Sequence, residues 1–277
     1  MQTRLKDYYS PSDCRMLRRL FVRRIKELTK DGLPVHLLLS GGVDSVTILF
    51  ALMEAGIPFQ AHTFSFKDVP SSDLDTVKQI RQHLSYEQVY HEFPSDWEHL
   101  CDEVKASVAL CRETYGRIRE VKVETMLAYR MLRAELPQEP ILVINGNQCV
   151  LMYTRNDALW IAKVGEYSPE VNDARRGKMK DAADEETVIF DNIVSPYIGG
   201  CVEDFLCRFT VSACHYPKPK AILYYAFEDY YKRCGCYRKP RPFQKASNEK
   251  ALFNNIATSL GYKGALDLFK AVEQDER

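Results

Sequence analysis

The chain has 277 residues, with 38 Lys and Arg balanced by 38 Asp and Glu, and nine cysteines. The balance excludes a global electrostatic drive toward nucleic acid or anionic membrane, leaving room only for a local patch. No apolar run is long enough to span a bilayer, and the N-terminus lacks a signal-peptide core. An odd number of scattered cysteines in a chain of this size reads as buried thiols of a reduced, cytoplasmic protein.

In chain order, residues 13–30 have the pattern of an amphipathic helix. Met16, Leu17, Leu20, Phe21, Ile25 and Leu28 share one face, and arginines, read as a solvated face, fill the rest. Asp31-Gly32-Leu33-Pro34 stops that helix and leads into the apolar run Val35 to Leu39, a buried parallel strand. The run breaks at Ser40-Gly41-Gly42 and restarts as a helix over 43–55, ended by Gly56. A second strand is expected over Phe59 to Phe66, and a helix capped at Ser71-Ser72-Asp73 carries Leu74, Val77, Ile80 and Leu84. A strand over Gln88 to Phe93, helices over 95–111 and 119–135, and a buried strand Ile141 to Ile144 follow. Strands alternating with helices of this length predict βαβ units and a parallel sheet. The pattern then dissolves. Residues 151–196, most polar from Gly165 to Glu186, read as an irregular lid. Helical pieces return around 197–213, 217–233 and 247–260, giving a helical region over 197–277 packed on the domain of residues 1–150.

A strand that stops at small residues and opens directly into a helix builds an anion site. The glycines let the backbone approach a ligand, and the first helical N–H groups have no intrahelical partner. Ser40 and Ser45 add hydroxyls, and Asp44 adds a carboxylate suited to holding Mg²⁺ beside a polyphosphate. The loop lacks the lysine of the Gly-Lys-Ser/Thr phosphate loop. Ser-Gly-Gly-Val-Asp-Ser resembles the pyrophosphate-binding loop of the ATP pyrophosphatases, which cleave ATP between the α- and β-phosphates. The order of parts is most similar to the synthetase domain of asparagine synthetases and β-lactam synthetases. Leu17 to Ser45, Thr63-Phe64-Ser65, the acidic helix start Ser71 to Asp75 and His91-Glu92 stand where that family has their counterparts. The similarity covers roughly residues 15–145.

That resemblance implies an α/β fold of the adenine nucleotide alpha hydrolase (HUP-like) kind, with helices on both faces of a parallel sheet. It also implies ATP and Mg²⁺ as ligands, with release of pyrophosphate, adenylation of a carboxylate or amide oxygen, and formation of a C–N bond. Leu39, Ser40, Gly41, Gly42, Val43, Asp44, Ser45, Thr63, Phe64, Ser65 and Gly146 are the expected nucleotide-binding residues, with Asp44 orienting the metal. A cation near the α-phosphate is sought in Arg238-Lys239-Pro240-Arg241-Pro242-Phe243-Gln244-Lys245, where Lys239 and Lys245 are the choices.

The chain also departs from that family. Where the family reads Ser-Gly-Glu-Gly-x-Asp-Glu, this sequence has Asn145-Gly146-Asn147-Gln148-Cys149-Val150-Leu151, keeping the glycine and losing the carboxylates. Residue 2 is Gln, not the family's glutaminase nucleophile, so no glutaminase domain is expected. Cys234-Gly235-Cys236 faintly resembles the zinc knuckle of the 7-cyano-7-deazaguanine synthases. A Zn²⁺ site at Cys214, Cys234 and Cys236 is therefore weighed, and buried free thiols are preferred to it. The expected partners are a small-molecule acceptor and an amine donor, with a nucleobase or tRNA as the alternative acceptor and a second copy of the chain as the candidate protein partner. A nucleotide-binding protein without synthetase turnover is the alternative from outside the enzymes.

Overall fold

The computed structural model describes residues 6–146, 186–237 and 247–275. Its centre is a five-stranded parallel sheet in the order β3-β2-β1-β4-β5. The strands are β1 (Val35–Leu38), β2 (Gln60–Phe66), β3 (Glu87–Phe93), β4 (Leu142–Ile144) and β5 (Ile193–Val194). The helices between them are α1 (Pro11–Leu28), α2 (Val43–Ala55), α3 (Ser72–Arg81), α4 (Trp97–Tyr115) and α5 (Glu120–Glu135). The C-terminal part adds α6 (Cys201–Leu206), α7 (Val211–His215), α8 (Ala221–Ala226), α9 (Glu228–Cys234), α10 (Glu249–Ser259) and α11 (Ala265–Asp275).

Because β1 is central, all four of its residues are buried, and alternate side chains feed two separate cores. Leu37 joins α1, α2, α6, α8 and α9 on one face, around Phe21, Phe50 and Tyr231. Leu38 joins α4, α5, α10 and α11 on the other, around Phe66, Phe253 and Phe269. The second face also carries three histidines on neighbouring strands. His36 Nδ1 lies 2.8 Å from His62 Nε2, and His62 Nδ1 lies 2.9 Å from His91 Nε2. All three rings are buried, and burial pushes each below the ordinary histidine value, His62 down to about 3.

α1 begins at a capping box: Ser10 Oγ accepts from Asp13 N, and the Asp13 carboxylate accepts from Ser10 N, with Pro11 just inside the helix. Its basic face is partly spent on structure rather than solvated throughout. Arg18 pairs with Glu54 on α2 and with Asp229 on α9, and Arg24 donates to the Ile198 carbonyl.

Three differences from the sequence reading have local causes. Ile193–Val194 is a fifth strand inside the stretch read as irregular, since two residues carry no readable period. The helix read over 217–233 begins only at Ala221, because Pro217 and Pro219 lack amide donors and Lys220 sits at φ 55, in the left-handed region. The piece read over 197–213 is two short helices, α6 and α7, the first starting after Gly200 at φ 88. α11, with an apolar stripe of Ala265, Leu268, Phe269 and Val272 in the second core, lies within the helical region read over 197–277, beyond its last named piece at 247–260.

Candidate functional site

The site forms where β1 runs into α2. Leu39 N donates to His62 O and so extends the β1–β2 ladder to the loop's edge. Gly41 turns the chain at φ 66, and a Cβ there would stand 2.7 Å from Asp73 O and 3.0 Å from Thr76 Cβ. Only glycine fits both the angle and the space. Gly42 is the N-cap without a side-chain cap, and the first helical bond is Val46 N to Gly42 O. Three amides, those of Val43, Asp44 and Ser45, thus stand at the positive end of a 13-residue helix without α2 carbonyl partners. Ser45 Oγ lies 3.1 Å from Ser40 Oγ and donates to Gly42 O at 3.1 Å, which holds the two hydroxyls together at the mouth of the loop.

Gly146 closes the other side. A Cβ on it would lie 2.6 Å from Ser45 N and 2.9 Å from Ser45 Cα. The end of β4 therefore abuts the backbone amide that an anion would use, and only a residue without a side chain leaves that amide in place. Thr63 Oγ1 donates to Leu39 O at 2.7 Å and takes Gln88 Nε2 at 3.2 Å, bracing the strand end just before the loop. Phe64 is turned into the second core against Phe93, and Ser65 is buried.

Asp44 points back into the C-terminal half. Lys220 Nζ donates to Asp44 Oδ2, Tyr197 Oη donates to Asp44 O at 3.0 Å, and Asp44 Oδ1 is buried without a partner. Lys220 is itself almost wholly buried at the start of α8. Tyr231 Oη donates to Val43 O at 2.9 Å and meets Thr47 Oγ1 at 2.8 Å; its burial pushes the phenol well above its ordinary value. Beside this, Lys218 Nζ lies over Tyr224 at 3.1 Å and Tyr237 at 4.2 Å, and the desolvation lowers its pKa.

Of the expected site residues, Leu39 to Ser45, Thr63 and Gly146 come together around the loop. Lys239 and Lys245, and residues 147–151, lie outside the described residues. Lys220 was not anticipated. Its signal was available in Tyr-Pro-Lys-Pro-Lys (216–220), a proline-stiffened basic run like the one chosen at 238–245, but the stretch was read as the start of a helix.

Although residues 145–151 lack acidic side chains, a carboxylate does stand at the end of β4. Glu186 Oε2 accepts from Asn145 Nδ2 at 2.5 Å. The pair is buried, and Asn145 Oδ1 has no partner. Cys214, Cys234 and Cys236 are buried, with the Cys236 thiol pushed up by burial. Among the described residues no group of three His, Cys, Asp or Glu is placed to hold a metal. For Mg²⁺ beside a nucleotide the fit is different: such an ion needs only one or two carboxylates plus phosphate oxygens, and Asp44 Oδ1 is free to serve.

No curated protein matches the chain. Residues 16–136, less than half of it, match the family described as Asparagine synthase. That span runs from α1 to the end of α5 and includes the loop, but neither Gly146 nor Lys220. Among solved structures, the chain is similar to NMN synthetase from Francisella tularensis at 14% identity, covering 84% of this chain and 99% of that one with a TM-score of 0.37. It is similar to a protein of Methanocaldococcus jannaschii described as a predicted subunit of tRNA methyltransferase, at 16% identity over 76% and 94% of the two chains, with a TM-score of 0.31. It is also similar to the glutamine-dependent NAD+ synthetase of Acinetobacter baumannii, at 14% identity over 94% of this chain and 43% of that one, with a TM-score of 0.38. Likeness at this level assigns no residue a role.

Proposed function

From residues 16–136 as an asparagine synthase-type domain, we propose that this chain is an ATP-dependent synthetase that releases pyrophosphate and AMP. The family match supports an ATP-using synthetase. The finer reading rests on one observation: Gly146 comes against the Ser45 amide and Gly41 against the start of α3, both too closely for a side chain, and beside the loop's amides stand one carboxylate and one buried lysine.

The amides of Val43 to Ser45 and the hydroxyls of Ser40 and Ser45 hold the β- and γ-phosphates as the leaving group. Lys220 supplies a positive charge against the phosphates, exchanging its carboxylate partner for a phosphate oxygen. Mg²⁺, held by Asp44, supplies charge neutralisation of the triphosphate when bound. An acceptor oxygen attacks the α-phosphorus, the bond to the bridging oxygen breaks, and pyrophosphate departs with the electron pair. An amine nitrogen then attacks the activated carbon, loses its proton and expels AMP. The chain's own contribution is positioning and fixed charge, as in other phosphoryl and nucleotidyl transfers. Lys239 and Lys245 remain candidates for a second cation. The scattered, mostly buried cysteines fit a reducing, cytoplasmic setting.

The test is pyrophosphate release from the full chain with ATP and Mg²⁺, screened over carboxylate acceptors with ammonia or amines, nucleobases and tRNA, with Asp44→Ala alongside. Release that needs a carboxylate and an amine supports the proposal. Dependence on a nucleobase or tRNA moves the chain to the modification enzymes. Equal release by Asp44→Ala overturns the site.

A further inference from the structure

Where the last turn of α5, the turn into β4 and the segment before β5 meet, the surface opens into a cavity of about 250 Å³. Ile141, Val143 and Phe190, all members of the second core, form its apolar floor. Arg133, Glu139 and Asp191 stand around it. The cavity lies at the amino ends of β4 and β5, whereas the anion loop follows the carboxyl end of β1. From Val143 to Gly146, beside the loop, is about 10 Å of extended chain. The nucleotide site uses none of these side chains.

The charges around the cavity are arranged unlike those elsewhere on the surface. Arg18 closes on Glu54 and Asp229, Arg112 on Glu273 and Arg130 on Glu103. Arg133 closes on no carboxylate. Its Nη1 donates to the Pro137 carbonyl at 3.2 Å, and among the described residues no ion pair joins it to Glu139 or Asp191. Opposite charges are thus held apart around one hollow, with an apolar floor between them. The complement of that pattern is a small molecule with an anionic end, a cationic end and an apolar body. A guanidinium fork matches a carboxylate, and carboxylates accept from an ammonium. The space equals about eight water molecules, and their release from an apolar floor favours an apolar body there.

We propose that this cavity binds a free α-amino acid with an apolar side chain. Arg133 takes its carboxylate, Asp191 and Glu139 take its ammonium, and Val143 and Phe190 meet its side chain. Asn192 also lines the cavity, and its carbonyl accepts from Val143 N. A ligand seated there spans the junction of β4 and β5 and holds that bond closed.

The experiment uses the full chain without ATP or Mg²⁺. Calorimetry measures binding of L-leucine and L-phenylalanine, and amide exchange at Val143 locates it. Three probes each lack one feature: leucine amide the carboxylate, 4-methylpentanoate the ammonium, and glycine the apolar side chain. At least one of the two amino acids should bind, with each of the three probes weaker by roughly tenfold or more. Exchange at Val143 should slow as the site fills. Arg133→Met and Asp191→Asn, at residues that are not buried, should each weaken binding roughly tenfold or more. No binding of either amino acid at about 10 mM overturns the proposal. Binding that both variants leave unchanged also overturns it, as does protection that appears at Ser45 instead of Val143.

Discussion

Lys220 and Asp44, 176 residues apart in sequence, are bonded to each other at the mouth of the loop, with the lysine side chain 8% and the aspartate side chain 16% exposed. A buried pair of this kind is costly to break from one side, because the remaining charge stays desolvated. It is also a pair of groups that a metal–triphosphate can separate, since each has a stronger opposite charge to go to.

Lys220→Met should therefore lower kcat/KM for pyrophosphate release by about 10²–10³, the scale for losing one charge-stabilising donor. It should also destabilise the fold by about 3–5 kcal/mol, because Asp44 is left buried without its partner. Kinetics and urea unfolding check the two effects, and the double variant Lys220→Met with Asp44→Asn should recover part of the stability and none of the activity.

Gly146→Ala tests the closed side of the loop. The new methyl would meet Ser45 N at 2.6 Å, so the strand end or the helix start must move. The expected result is a loss of roughly 1–3 kcal/mol of stability from overpacking. ATP binding by calorimetry should weaken more than a comparable overpacking elsewhere in the core would cause.

Thr63→Val removes the hydroxyl that bonds Leu39 O while keeping the side chain's shape. A net loss of about 1 kcal/mol is expected for such a bond. The loss should appear mainly as a raised KM for ATP, since the bond braces the strand ahead of the loop. An unchanged KM with a lowered midpoint would make the hydroxyl purely structural.

The histidine ladder gives a pH dependence. His36, His62 and His91 are held neutral, with native values below the 6.5 of an exposed ring. Below that pH the unfolded chain takes up protons that the native chain refuses, so stability falls as pH drops from 6.5 toward 3. Each ring contributes a slope of up to about 1.4 kcal/mol per pH unit. Glu124, pushed up to about 7 by burial, acts in the opposite sense, so the readout is a difference between variants. Urea midpoints at pH 7.5 and pH 5 should diverge less in His62→Gln than in the parent chain; equal divergence would remove the ladder from the account.

Much of this was legible beforehand where local chemistry decides. The apolar run at Val35, the glycines at 41 and 42 and the Ser71 cap need only their neighbours to act, and the strand, turn and helix starts lie where they were read. Lys220 was hidden because its partner lies far away in sequence and its own segment is short, irregular and proline-bound. Glu186 was hidden for a similar reason: it returns a carboxylate to the end of β4 from 41 residues on, inside a stretch with no readable period. The resemblance gave the backbone around Thr63 to the nucleotide and said nothing of its side chain, which bonds the Leu39 carbonyl.

The two edges of the sheet are held very differently. β2 and β3 pair over seven residues, whereas β5 is joined to β4 over two, by Val143 N to Asn192 O and Asn145 N to Val194 O. Local opening follows the least-bonded boundary, so amide exchange should be fastest across β4–β5 and slowest at β1 and β2. Asn145 and Gly146 lie on that yielding seam, while the base of the loop is clamped between strands on both sides. Compliance is thus placed on the flank of the cradle, and because Gly146 there abuts the Ser45 amide, any give in the seam is felt directly at the amides.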